Sequence, residues 1–74
     1  MKIYHLTILG YYNNSSATYH TTVTCNGMSV HNGGYYEFWE KIEDRGSYKP
    51  VAFYPIGNTI ITSIEDIKEK QWKN

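Results

Sequence analysis

Residues 17–25, ATYHTTVTC, alternate without a break and run straight into Asn26-Gly27. Ala17, Tyr19, Thr21, Val23 and Cys25 share one side of an extended chain. Thr18, His20, Thr22 and Thr24 share the other. A period of two marks a strand with one wet face. Asn-Gly suits the two positive φ angles of a type I′ turn, so the segment is expected to fold back on residues 28–31. That turn would set the register: Cys25 faces Met28, Val23 faces Val30, Thr24 faces Ser29 and Thr22 faces His31. Apolar residues then meet apolar ones and polar meet polar, which is the consistency that pins a register.

The rest of the chain is read around this hairpin. Residues 2–12, KIYHLTILGYY, are rich in β-branched and aromatic types and apolar on both alternating sides, which suits a central strand. NNSS at 13–16 is a polar turn. Asn32 is a good N-cap, and Gly33-Gly34 allows a change of direction. Tyr35, Phe38, Trp39 and Ile42 then recur at i, i+3, i+4 and i+7, the stripe of an amphipathic helix. A helix is therefore expected at about 34–45, ended by Gly46. Residues 48–55, YKPVAFYP, form a strand with Pro50 at an edge. Gly57-Asn58 turns the chain, 59–62 returns as a strand, and Thr62 with Glu65 has the spacing of a capping box for a last short helix to about Gln71. In that helix Ile64 and Ile67 face inward.

The expected order is β-β-β-α-β-β-α over one domain, residues 1–74. The fold class is α+β: an antiparallel sheet of four to five short strands, the main amphipathic helix on one face, and a short C-terminal helix.

Composition limits the function. Seven acids balance seven Lys and Arg. Nucleic-acid binding needs a basic surplus on one face, and neither surplus nor stripe is present. One Cys forms no internal disulfide, and the N-terminus lacks an export signal, so a cytoplasmic location is expected. No apolar run approaches the length of a membrane span. The aromatic content, eight Tyr, two Phe and two Trp, must fill a small core and favours self-association as a homo-oligomer.

Catalytic and metal motifs are sparse. His20 and His31 would lie on the side of the hairpin opposite Cys25, so the three cannot share a metal. His5 could join the two histidines if its strand pairs alongside, which leaves a His-face metal site as an alternative. The glycines map to turns rather than to a phosphate loop. No cofactor and no catalytic residue is assigned. Two features suit binding. Glu37, Glu40, Glu43 and Asp44 crowd the expected helix as an acidic ridge that could steer a basic partner. Tyr11-Tyr12 and Tyr35-Tyr36 place one ring of each pair away from the core, and Tyr12 and Tyr36 are the candidate contact rings. A cluster of Lys2, Lys41, Arg45 and Lys49 would be needed to hold a phosphate.

With its short single domain, absent catalytic motif, acidic ridge and exposed Tyr, the chain resembles the small accessory and inhibitor proteins of phages, anti-CRISPR proteins among them. The resemblance implies a non-catalytic binding protein that blocks a surface of a larger host defence complex. The alternatives are a nucleotide- or small-ligand-sequestering protein with an aromatic pocket, and a small enzyme or His-face metal protein.

Overall fold

A computed structural model describes residues 1–12, 15–43 and 46–67, with Tyr11 and Tyr12 described through their backbone only. Six strands follow one another: β1 (Lys2–Tyr12), β2 (Ser15–Cys25), β3 (Gly27–His31), β4 (Tyr35–Ile42), β5 (Ser47–Pro55) and β6 (Thr59–Asp66). A single 3₁₀ turn, Ile56–Asn58, leads into β6. The strands make two three-stranded antiparallel sheets. The first has the order β2-β1-β6 and the second β3-β4-β5. Strand β1 is central, as its apolar residues on both sides require.

The inner faces of the two sheets meet in one core. Tyr4, Leu6, Val23 and Cys25 come from the first sheet and Phe38 from the second. Met28, Tyr36, Ala52, Tyr54 and Ile61 pack around them. Phe38 is fully buried, with Tyr4 edge-on at 5.1 Å and Tyr54 edge-on at 6.0 Å between ring centres. Truncating such a residue costs about 3–5 kcal/mol, a large share of the roughly 5–10 kcal/mol that holds a domain of this size.

The α+β expectation is overturned. Residues 35–42 form a strand, not the main helix. YYEFWEKI satisfies both periods, since 36, 38 and 42 also lie on one side of a strand. Five of its eight residues are aromatic or β-branched, which fits a pleated sheet better than a helix. The turn before it settles the matter. Gly34 has φ +92°, and its N–H donates to the His31 carbonyl at 2.9 Å. That is a three-residue hairpin turn with glycine in the left-handed position. It sets His31 opposite Tyr35 and Met28 opposite Phe38.

The Asn26-Gly27 hairpin is also corrected. Strand β2 pairs with β1, and β3 pairs with β4. Asn26 is a one-residue corner at which the chain passes from one sheet to the other, a bend that two packed sheets permit. Its N–H donates to the Trp39 carbonyl at 2.9 Å, and its Oδ1 accepts from the Lys41 N–H at 2.7 Å. Positive φ occurs at Gly34 and Gly46 among the described glycines, not at Gly27.

The C-terminal helix expected from Thr62 is replaced, as far as Asp66, by the extension of β6; residues 68–74 lie outside the described residues. Ile64 and Ile67, expected to face inward, are both exposed. The register of β1 with β6 shifts between His5 and Leu6, so Leu6 faces Ile61 and Tyr4 faces Ile64. Thr62 is the extra residue of this bulge, and its hydroxyl donates to the His5 carbonyl at 3.1 Å. Among the described residues no helix is long and apolar enough to cross a membrane.

Candidate functional site

The outer face of the second sheet carries side chains that no core requires. Alternation sends Tyr35, Glu37, Trp39 and Lys41 of β4 outward, opposite the core residues Tyr36 and Phe38. Pairing brings Ser29 and His31 of β3 beside them on one flank, and Tyr48 and Phe53 of β5 on the other. Tyr48 is 58% exposed and Phe53 54%. Large rings this open on a small sheet are a common mark of a contact surface.

The rings fall into two groups. In the first, His31 stacks on Tyr35 at 4.8 Å and 10°, and Phe53 meets Tyr35 edge-on at 5.5 Å. In the second, Trp39 and Tyr48 meet at 4.5 Å and 66°, forming a corner. Glu37 lies beside the first group, its Oε1 accepting from His31 Nε2–H at 2.5 Å. A cleft of about 320 Å³ is lined by Ser29, Glu37, Trp39 and Tyr48. A second, of about 310 Å³, lies against Tyr35 and Phe53.

Trp39 is held from three sides. Its indole N–H donates to Ser29 Oγ at 3.1 Å, and Tyr48 abuts the ring. Gly27 lies beneath, where a Cβ would come within 2.3 Å of Trp39 Cζ2. Glycine at 27 is therefore needed for close approach of the indole, not for a turn. A ring fixed in this way loses little further freedom on binding.

The candidate residues named from sequence are dispersed. Glu37 lies in the site. Glu40 has the opposite side of the strand, paired with Lys49 at 3.9 Å. Glu43 is exposed in the turn after β4, and Asp44 lies outside the described residues. The acidic helix ridge therefore does not exist, because strand alternation separates what a helix would have gathered. Tyr36 is half-buried on the core side, 6.4 Å from Phe38; its neighbour Tyr35 is the outward ring. The Tyr12 side chain lies outside what is described. Sequence reasoning missed Trp39, Tyr48 and Phe53 as surface residues. Reading 35–42 with a strand period would have placed Trp39 outward with Glu37.

The three histidines separate as well. His5 and His20 lie on the outer face of the first sheet, held by Glu65 at 3.0 Å and by Thr7 Oγ1 at 3.0 Å. His31 is on the second sheet. Among the described residues no group of three His, Cys, Asp or Glu side chains converges as a metal site. Cys25 is buried, its Sγ–H donating to the Gly27 carbonyl at 3.3 Å. Burial pushes this thiol up from its ordinary value of 9.0. Of the bases that could have gathered around a phosphate, Lys2 pairs with Asp66 at 3.4 Å and Lys49 with Glu40. Arg45 lies outside the described residues.

No family model matches the chain, and no characterised protein or solved structure shows significant similarity to it.

Proposed function

We propose that this chain is a non-catalytic binding protein of the cytoplasm whose contact surface is the outer face of the second sheet. Its partner is a larger protein or protein complex, occupied in the manner of the phage inhibitors that the sequence resembles. One observation carries the reading. Tyr35, Trp39, Tyr48 and Phe53 stand on the solvent side of a sheet whose other side already supplies the core. Aromatic anchors held in place by neighbours are what binding surfaces concentrate. Ser29 Oγ accepts from the Trp39 indole N–H, so this hydroxyl supports the reading by helping to hold one of the rings.

The cleft at Ser29, Glu37, Trp39 and Tyr48 supports a second reading, a small-ligand-sequestering protein. The Glu37 carboxylate in its lining disfavours the phosphates of a nucleotide.

The test compares faces. The wild-type chain and a Tyr48→Ser/Phe53→Ser variant are immobilised and exposed to cell lysate beside a Leu9→Ser/Ile60→Ser control on the outer face of the first sheet. The expected partner is retained by wild type and control and released by the second-sheet variant. Equal retention by all three would overturn the reading. Loss of a bound small molecule in place of a protein would favour the second one.

A further inference from the structure

We propose that the corner formed by Trp39, Tyr48 and Glu37 receives the ammonium group of a lysine side chain presented by the partner protein. This rests on the reading of the second sheet's outer face as the contact surface, and it names what that surface recognises.

The faces of aromatic rings are electronegative and attract cations, most strongly for tryptophan. Trp39 and Tyr48 meet at 66°, so two such walls bound one space. The Glu37 carboxylate and the Ser29 hydroxyl complete the lining of the same cleft. Every charged or π-rich group in that lining favours a positive guest. Lys41 is the Lys or Arg that strand alternation places on this face among the described residues. It sits at the rim, opposite Tyr48 and two positions beyond Trp39, and is not part of the lining.

Geometry then chooses between the two common cationic side chains. Arginine gains most from two parallel bonds to both oxygens of a carboxylate, or from stacking flat on one ring. Glu37 Oε1 already accepts from His31 Nε2–H at 2.5 Å, so a paired arrangement would have to share that oxygen, whereas a single donor can use Oε2 alone. Two rings set at 66° present a corner rather than a flat platform. A compact ammonium with three rotatable donors fits a corner with one free carboxylate oxygen and a serine hydroxyl. Its methylene stem can lie along the apolar rings. The indole is fixed beforehand by Ser29 and Gly27, so the corner stands ready in the free protein.

The experiment follows the Trp39 indole N–H resonance, identified by its absence from Trp39→Phe, in the full-length protein. The probes are the Nα-acetyl methylamides of lysine, of arginine and of norleucine, the neutral carbon analogue, together with choline. The lysine probe is expected to shift the resonance saturably and to bind about threefold or more tighter than norleucine, as one partly exposed cation–π and carboxylate contact allows. Glu37→Gln should bring lysine down to the norleucine level, and Lys41→Glu should tighten it. If Glu37→Gln does not fold, the Lys41→Glu arm alone carries the charge test. Equal binding of norleucine and lysine overturns the proposal, as does indifference to both charge changes. Tighter binding of arginine, or of choline, overturns the assignment to lysine. Absence of any shift overturns it too. In each of these cases partner retention that depends on Tyr48 and Phe53 would still stand, so failure here is distinguishable from failure of the contact surface.

Discussion

A methyl group at Gly27 would collide with the six-membered ring of Trp39, at 2.3 Å from Cζ2 and 2.5 Å from Cη2. The indole cannot slide away without losing its bond to Ser29 and its contact with Tyr48. Gly27→Ala is therefore expected to destabilise the protein by about 1–3 kcal/mol, the usual range for overpacking, and Gly27→Val by more. Urea denaturation measures both. Pairing Gly27→Ala with Trp39→Ala should recover much of the loss, because the two residues are one contact. Had glycine been required for a positive φ, removing the indole would recover nothing. At this scale the sequence told half of the story. It marked 27 as a place where only glycine serves, and it gave the wrong cause, because the indole that fills the space is twelve residues further on.

At the scale of elements, β1 was legible from end to end and β4 was not. KIYHLTILGYY is apolar on both alternating sides and rich in β-branched and aromatic residues, which suits a central strand better than a one-sided helix. YYEFWEKI offers both a helical and a strand period, and the arbiter is the pairing of Gly34 with His31 across a tight turn, a tertiary fact. The candidate site inherited this error. A helix gathers Glu37, Glu40 and Asp44, whereas a strand sends Glu37 to the ring-bearing face and Glu40 to the other. The end of β6 was misread because Thr62 and Glu65 have the spacing of a capping box, whereas Thr62 is the extra residue of a bulge between Ile61, opposite Leu6, and Ser63, opposite His5. That bulge rests on the Thr62 hydroxyl, which donates to the His5 carbonyl where the ladder is interrupted. Thr62→Val keeps the shape and removes the donor, and should cost about 1 kcal/mol. Thr62→Ser should cost less. Thermal or urea unfolding of the two variants separates the hydroxyl from the β-branch.

For the molecule as a whole, alkaline pH acts on two buried groups among the described residues. Cys25 and Tyr4 are held above their ordinary values of 9.0 and 10.0, in both cases chiefly by burial. The unfolded chain thus releases each proton at a lower pH than the folded one. The stability this represents is complete below about pH 9 and is lost as pH rises through the folded values. Stability to urea should accordingly fall on the alkaline side. Cys25→Ala, whatever it costs at neutral pH, should flatten the fall nearest pH 9 and leave the later part due to Tyr4. An unchanged slope in that variant would show that another group controls the alkaline limit.

Strands β1 and β6 lie side by side and antiparallel, with Lys2 opposite Asp66 and the Ile67 N–H donating to the Met1 carbonyl at 2.9 Å. The outer ends of both strands therefore leave from the same end of the sheet. A force applied between handles at Met1 and Ile67 would load that ladder one bond at a time, as a zip is opened, rather than all together in shear. The molecule should be mechanically soft in this direction whatever its resistance to urea. In an optical trap β6 should peel from β1 first, at low force, while the second sheet, whose pairings all fall within residues 27–55, still holds together.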